Sequence, residues 1–381
     1  MLILWILTGR MNAGGAESLI MEQLRHWNKK FQLRLIIHSD SNDYKGVFDE
    51  EIKTLGISVS YLPSVGAVGV LQYRKAFMNL IKQVGKPDII HSHLNAVGGF
   101  ITWAAATCGI EHRIVHCHAD ITYRGSLINR IKSEIGLTIM KWFVNRYGTD
   151  FWACSDAAAR RLFYKEKKTV VIPNIIDVQK YLNNDDKRRR EREKLKIDNN
   201  TLVIGAVGRI AKIKNYEVVL NAVAALATNG CKIHFICYGR PMDKAYFDEL
   251  LHLLERHGIQ DLVDFPGNCQ TVWDSIAAFD VFVMPSITEG FGIAALEAQA
   301  AGLPCLVSTG VPDEVDMGLG LIKRIEPHDV KGWAKSINEF RPLIPSSETI
   351  IKSISQRGYD SASECEKITR RYLDIVEGKT K

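Results

Sequence analysis

Short apolar segments alternate with longer segments of helical periodicity along the whole chain. Before residue 180 the apolar segments predict buried parallel strands at 2–7, 33–37, 88–91, 113–117, 151–154 and 170–172. Helix-length segments, such as 15–27 and 73–84, lie between them. Strands that alternate with helices of about ten or more residues indicate βαβ units in a doubly wound sheet.

The pattern breaks over the charged residues 183–200 and then restarts. Later strands are predicted at 202–207, 232–238, 281–284 and 305–307, with helices at 216–227, 245–257, 293–301 and 359–376. We therefore predict an α/β fold with two Rossmann-like, doubly wound domains, 1–180 and 201–356, that face a central cleft. We expect 181–200 to be a solvated charged linker with a short helix, and 357–381 to supply a helix that packs back on the first domain.

Composition agrees with two globular domains. The chain has 381 residues, of which 46% are hydrophobic, which excludes a disordered chain or a small disulfide scaffold. No uncharged apolar run reaches the ~18–20 residues of a membrane span. The nearest run, 94–110, contains three glycines and is better explained as a buried amphipathic helix.

The charge distribution and the cysteines indicate the kind of partner and the cellular compartment of the protein. Residues 1–180 hold 23 Lys and Arg against 15 Asp and Glu, whereas residues 201–381 hold 19 against 23. This excess is too small for a nucleic-acid-binding protein and suits an anionic surface or substrate near the first half. The eight cysteines form no CxxC pair, and the N-terminus lacks the features of a signal peptide, so we expect a cytoplasmic protein.

Two cations follow the first strand of the second domain. Arg209 leaves the carboxyl end of that strand, and Lys214 precedes a helix. An arginine fork and a lysine point charge at this edge could clamp a diphosphate. The alternative is that both are surface cations at the start of a helix.

The most specific pattern is the segment 285–297. Glu289 lies in a loop after a buried strand, Gly290 and Gly292 permit close approach of the backbone, and Glu297 lies one turn inside an otherwise apolar helix. Carboxylates there could bind sugar hydroxyls while free N–H groups face phosphate or sugar oxygens. A purely structural interpretation makes Glu289 a cap and Glu297 a surface residue.

The first strand of the chain runs into a glycine-rich turn. Gly14 and Gly15 precede the first helix, whose N-terminal N–H groups favour phosphate. A plain strand-to-helix turn is the alternative. Neither domain carries GxGxxG after its first strand, which disfavours a nicotinamide dehydrogenase.

Histidine occurs twice as His-x-His, at His91 and His93 and at His116 and His118. Residues i and i+2 share one face of a strand, so the two pairs could form a zinc site. Strand-end histidines that line a cleft are the simpler interpretation, and His91 and His93 could be structural. We therefore expect no metal.

Basic and aromatic residues are interleaved over residues 121–147. Such a helix could dock on an anionic bilayer. The alternative is an ordinary packed helix with a solvated face.

Taken together, these motifs resemble family 4 of the retaining glycosyltransferases, which have the GT-B fold, over nearly the whole chain. The resemblance rests on Gly-Gly-Ala-Glu at 14–17, Ile-Pro-Asn-Ile-Ile-Asp at 172–177, Gly208-Arg209 with Lys214, and Glu289 with Glu297 followed by Ala-Gly-Leu-Pro at 301–304. Two positions depart from the family: Ile175 stands where glycine is usual, and Gly239-Arg240-Pro241 replaces the commoner Gly-x-Gly.

The resemblance implies roles for individual residues. Arg209 and Lys214 would bind the donor diphosphate, Glu297 the ribose hydroxyls and Glu289 the donor sugar. Beside Glu289, the main-chain N–H groups of Phe291, Gly292 and Ile293 would help to bind the donor sugar. Gly15 would close the cleft, and His118 would act at the reacting centre. The acceptor side would include Asp120 and Arg124. No metal or other cofactor is implied.

The activity implied is transfer of a sugar from a UDP- or GDP-linked donor to a hydroxyl of a glycan with retained anomeric configuration. The expected acceptors are polyprenyl-diphosphate-linked glycans of O-antigen, capsule or exopolysaccharide synthesis, reached in the cytoplasm or on the inner face of the plasma membrane. A nucleotide-sugar epimerase of the same architecture and a non-enzymatic two-lobed sugar-binding protein are the alternatives.

Overall fold

The computed structural model describes residues 1–11, 15–27, 31–39, 46–118, 127–269 and 271–379. Contacts divide the chain into two compact units. The first unit is Met1–Ile175 together with Ser361–Lys381, and the second is Ile176–Asp360.

Strands and helices alternate through both units. The strands are β1 (Leu2–Thr8), β2 (Phe31–His38), β3 (Ser58–Leu62), β4 (Ile89–Ser92), β5 (His112–Cys117), β6 (Asp150–Ala153), β7 (Thr169–Val171), β8 (Leu202–Val207), β9 (Ile233–Tyr238), β10 (Val263–Gly267), β11 (Val281–Met284), β12 (Cys305–Ser308) and β13 (Ile322–Ile325). The helices are α1 (Gly15–Arg25), α2 (Asp49–Thr54), α3 (Val65–Val68), α4 (Val70–Val84), α5 (Gly98–Thr107), α6 (Leu127–Tyr147), α7 (Asp156–Leu162), α8 (Val178–Tyr181), α9 (Asp185–Leu195), α10 (Tyr216–Thr228), α11 (Lys244–His257), α12 (Val272–Ser275), α13 (Ile293–Ala300), α14 (Val330–Glu339), α15 (Ser347–Gln356) and α16 (Ser361–Val376).

Each unit is built on one parallel sheet. The order in the first unit is β3-β2-β1-β4-β5-β6-β7, and in the second it is β10-β9-β8-β11-β12-β13. The strand order reverses between β1 and β4 and again between β8 and β11. These two positions are the topological switch points, where α/β sheets bind ligands at the carboxyl ends of the strands. The predicted pair of Rossmann-like domains is confirmed.

The cores lie on both faces of each sheet, because the central strands are apolar on both sides. In the first unit Trp5 packs on one face and Trp152 on the other, and both are fully buried. In the second unit Phe279 and Trp333 mark the two faces. Within the described ranges, no helix combines the length and the apolar composition needed to cross a bilayer.

The segment 181–200 contains the predicted short charged helix, but one face of that helix is buried. It forms the short charged helix α9, whose Asn184 cap accepts a hydrogen bond from the Lys187 N–H at 2.9 Å. The Arg192 side chain on this helix is only 2% exposed and pairs with Asp280. Lys187, Glu191 and Arg192 are buried, whereas Asp186 and Arg189 are exposed, so one face of α9 packs in the second unit and the other is solvated.

The last helix, α16, belongs to the first unit although it follows the second in sequence. Its apolar face, with Ile368, Tyr372 and Ile375, packs in the same core as Trp152. The Tyr372 ring stacks on that tryptophan at a centroid distance of 5.4 Å. The predicted helix is therefore present, with Ile368 and Tyr372 buried in this core and Leu373 and Val376 partly buried against it.

Candidate functional site

The carboxyl end of β8 opens the candidate site in the second unit. Gly208 follows the strand with φ +152°, and its backbone lies against Gly239, which follows β9. A Cβ on Gly239 would lie 1.8 Å from the Gly208 carbonyl oxygen, so only glycine permits this approach. The close contact directs the following residues to the edge of the sheet. Arg209 is exposed there, and no ion pair is found for it among the described residues.

Lys214 and Glu289 meet although 75 residues separate them. The Lys214 Nζ lies 2.5 Å from Glu289 Oε1, and the Ser286 hydroxyl donates to the same oxygen at 2.7 Å. Lys214 follows β8 and Glu289 follows β11, and these strands are neighbours at the switch point. The structure thus brings together two residues that the sequence assigned separately, with Ser286 as a third that was not predicted.

The loop that carries Lys214 is held by Asn215. This buried residue has a φ of +56°, and its side-chain amide donates to the carbonyl oxygens of Pro285 at 3.1 Å and Pro327 at 2.7 Å. The Ile287 N–H also donates to the Ile213 carbonyl oxygen at 2.8 Å. These backbone-directed bonds fix the loop after β8 to the loop after β11.

Helix α13 supplies the remaining predicted groups of this unit. It begins after Gly292, which has φ +94° and gives no side-chain cap; the Ala295 N–H donates to the Gly292 carbonyl oxygen at 2.9 Å, and the N–H groups of Ile293 and Ala294 have no capping side chain. Glu297 lies one turn inside, and the Tyr181 hydroxyl donates to its Oε1 at 2.7 Å. Phe291 stacks on Tyr359 at 5.0 Å. The sequence offered no signal for Tyr181, because it lies 116 positions before Glu297.

The predicted residues of the first unit lie at the start of α1 and directly after β5. Gly15 begins α1, and a Cβ there would lie 3.5 Å from the Asn174 amide nitrogen. His118 follows β5, and its N–H donates to Asn95 Oδ1 at 2.7 Å. Asp120 and Arg124 fall outside the described residues.

All four histidines of the two His-x-His pairs come together inside the first unit. His91, His93 and His116 are buried, which differs from the expectation that they line a cleft. Burial, followed by the neighbouring imidazoles, lowers their pKa values well below the ordinary range. Burial also lowers the pKa of His118 to about 3. Uncharged imidazoles are therefore the form present at neutral pH.

Comparison with known proteins follows the same division of the chain. Residues 13–180 match the family model Glycosyltransferase Family 4, and residues 187–352 match the model Glycosyl transferases group 1. The protein named "Putative glycosyltransferase EpsF" of Bacillus subtilis (strain 168) is 31% identical over 368 residues, which cover 94% of this chain and 93% of that protein.

Two further proteins are similar over most of the chain. The UDP-Gal:alpha-D-GlcNAc-diphosphoundecaprenol alpha-1,3-galactosyltransferase of Escherichia coli is 24% identical, over 92% of this chain and 91% of that protein. The crystal structure of Anabaena Alr3699/HepE in complex with UDP and glucose aligns with a TM-score of 0.79 at 18% identity, over 98% of this chain and 100% of that one. At that identity the likeness establishes the fold.

Proposed function

Because this chain belongs to glycosyltransferase family 4 and has the GT-B fold, we propose that it is a retaining enzyme. It moves a sugar from a nucleotide-sugar to a hydroxyl group of a glycan. The observation that carries the proposal is the ion pair of Lys214 and Glu289 at the β8/β11 switch point, where exposed Arg209 follows β8.

The two cations suit a leaving diphosphate. Charge builds on that group as the bond to the sugar breaks, and preorganised cations and N–H dipoles stabilise it. Arg209 offers a planar fork, Lys214 a point charge, and the start of α13 N–H groups that have no capping side chain. These groups neutralise the diphosphate without a divalent metal, and the leaving phosphate itself takes the proton of the acceptor.

The two glutamates hold the ends of the donor. Glu297 binds the ribose hydroxyls, and its bond from Tyr181 fixes the direction of the remaining carboxylate oxygen. Glu289 contacts the sugar through the carboxylate that Lys214 and Ser286 orient. The UDP-bound structure of HepE and the UDP-Gal named for the Escherichia coli relative favour a uridine donor over a guanosine donor.

His118 is assigned to the reacting centre of the first unit, with Gly15. Its backbone is held by Asn95, and its Nε2 lies 2.8 Å from His93 Nδ1. As a neutral imidazole it hydrogen-bonds a sugar hydroxyl without adding charge to the site.

A polyprenyl-diphosphate-linked glycan is the proposed acceptor. The support is the Escherichia coli relative, whose name specifies a diphosphoundecaprenol substrate, together with a capsular polysaccharide biosynthesis glycosyltransferase from Staphylococcus aureus that is 23% identical over 76% of this chain. Surface polysaccharide synthesis is the process this acceptor serves.

An acceptor in a membrane calls for a membrane-facing surface, and we assign it to α6. Ile135, Ile139 and Trp142 lie at i, i+4 and i+7 on this helix and are 59%, 50% and 48% exposed. The positive first half of the chain adds attraction to anionic lipid.

Liposome flotation tests the assignment of α6. The chain should float with anionic vesicles, and less so at high salt because surface charges are screened. A variant with Ile135, Ile139 and Trp142 changed to serine should no longer float with the vesicles. The variant Leu71→Ser, which removes a single exposed apolar side chain from α4, should float as the wild type does. Equal flotation of both variants would reject the assignment.

A transfer assay tests the activity. Purified protein is incubated with UDP- and GDP-sugars and a polyprenyl-diphosphate-linked acceptor, and the anomeric configuration of the product is read by proton NMR. One donor should give a product with the configuration of the donor, and Glu297→Ala should abolish transfer with unfolding temperature unchanged. An inverted product would refute retention, and a donor that changes without any acceptor would indicate an epimerase.

A further inference from the structure

Four imidazoles converge where β4 and β5 end. His91 lies in β4 and His93 follows it, while His116 lies in β5 and His118 follows it. The two strands are parallel neighbours, with His91 opposite Ile114. Residues i and i+2 point to the same face of a strand, so the register brings all four side chains together on one face.

The ring nitrogens lie at distances that suit a shared ligand. One ring nitrogen from each of His91, His93 and His116 lies within 4.8 Å of the others. His91 Nε2 is 3.2 Å from His116 Nδ1. Two nitrogens that are each about 2.0–2.1 Å from a tetrahedral zinc ion lie about 3.3–3.4 Å apart.

Three ring nitrogens of the four histidines have no hydrogen-bond partner among the described residues: Nε2 of His93, Nε2 of His116 and Nδ1 of His118. The His93 side chain is 4% exposed, and a buried polar atom without a partner costs about 1–3 kcal/mol. An ion held by Nε2 of His91, Nε2 of His93 and Nδ1 of His116 gives the His93 nitrogen a partner.

The Nδ1 atoms of His91 and His93 have hydrogen-bond partners of the kind that metal-bound histidines have. The Tyr372 hydroxyl lies 2.6 Å from His91 Nδ1, and His118 Nε2 lies 2.8 Å from His93 Nδ1. A histidine that ligates through one ring nitrogen donates the N–H of the other to an outer acceptor, which fixes its orientation. Ligation through Nε2 of His91 and His93 leaves both Nδ1–H groups aimed at these acceptors.

We propose that His91, His93 and His116 bind one transition-metal ion inside the first unit. A donor set made only of imidazole nitrogens selects zinc, cobalt, nickel or copper and not magnesium or calcium, and three histidines are an established zinc ligand set. Through Tyr372 the ion connects α16 to the sheet. Its ligands are none of the residues assigned to the diphosphate, although His118 of the reacting centre is bonded to the ligand His93.

The test measures metal and needs no substrate. Full-length protein with its affinity tag removed is analysed for metal by inductively coupled plasma mass spectrometry, then stripped with a chelator and titrated with Co²⁺. One equivalent of metal per chain is expected, with the visible absorption of tetrahedral cobalt. His93→Leu and His116→Leu should lose both signals, and Tyr372→Phe should weaken binding about 10–100-fold.

His38→Leu is the matched control. His38 is a buried histidine of the same sheet, but its ring nitrogens are bonded to the Thr8 carbonyl oxygen and to the Tyr73 hydroxyl, both at 2.9 Å. This variant should keep the metal. Wild-type protein that neither retains nor takes up metal overturns the proposal whatever the variants do, and so does His116→Leu protein that binds Co²⁺ as wild type does.

Discussion

The change Asp280→Asn is expected to destabilise the second unit by about 2–4 kcal/mol. Asp280 Oδ2 lies 2.5 Å from Arg192 Nη2, and its Oδ1 lies 2.5 Å from Arg188 Nη2. The Arg192 side chain is 2% exposed. Asparagine is nearly the same size as aspartate, so the change removes the negative charge with little change in packing.

The size of the expected loss of stability depends on the hydrogen bonds that Arg192 retains when Asp280 loses its charge. Removing one partner of a buried ion pair costs about 3–5 kcal/mol. Here Arg192 still donates to the carbonyl oxygens of Ala278, Asp198 and Thr201 at 3.1–3.2 Å, and the Asp280 side chain is 26% exposed. Both facts reduce the cost below that of a fully enclosed pair. Burial already lowers the pKa of Arg192, which shows that the site disfavours an unpaired charge.

The assay is hydrogen–deuterium exchange at increasing urea, read on peptides from α9 and β8. A local probe is needed because two units need not unfold together. The control is Asp186→Asn, which makes the same chemical change on the same helix in a pair with Arg189 that is 77% and 66% exposed. An exposed pair contributes below about 1 kcal/mol. If both variants lose the same stability, the reasoning about burial is wrong.

Three further outcomes are expected. Tyr181→Phe should weaken nucleotide-sugar binding about tenfold, because Glu297 loses the bond that orients it; calorimetry measures this, and unchanged affinity would contradict it. Gly205→Ala should destabilise the chain by at least about 1–3 kcal/mol, since its Cβ would lie 1.9 Å from the Phe279 ring; a urea midpoint equal to wild type would refute this. Burial raises the pKa of the Cys237 thiol to about 12, so iodoacetamide at pH 8 should leave it unmodified in native protein, as peptide mass spectrometry checks; rapid modification would show that the strand is not protected, and modification should increase only as the pH rises towards that pKa.

The central strands could be predicted from the sequence, whereas three of the four edge strands could not; the fourth, β7, was predicted at 170–172. β8 and β11 are continuous apolar runs, and the predicted bounds match the structure. No strand was predicted at β3, β10 or β13, which all lie at sheet edges. Edge strands are covered on fewer sides, so they carry polar residues, as in Ser-Val-Ser-Tyr-Leu of β3, and lose the apolar signal.

The charged residues of the candidate site could also be predicted from the sequence, whereas the bonds that they make could not. Motif spacing was enough to single out Lys214, Glu289 and Glu297, because their residue types at a strand end or helix start suggest a chemistry. The bonds between Lys214 and Glu289 and between Tyr181 and Glu297 depend on which strands are neighbours, and no local pattern encodes that. The charged helix α9 looked solvated because its partner Asp280 lies 88 residues beyond Arg192.

The most direct test of the account is calorimetric titration of the full chain with UDP-sugars, comparing Lys214→Ala with Lys212→Ala. Lys212 lies on the same short turn, but its side chain is 76% exposed and only 4.0 Å from Glu249, so it serves as the matched cation. The account predicts that one UDP-sugar binds, that Lys214→Ala weakens it about 10–100-fold, and that Lys212→Ala leaves it unchanged. Equal affinity of the two variants, or no binding of any UDP- or GDP-sugar by the wild type, would contradict the assignment of the switch point of the second unit to the donor.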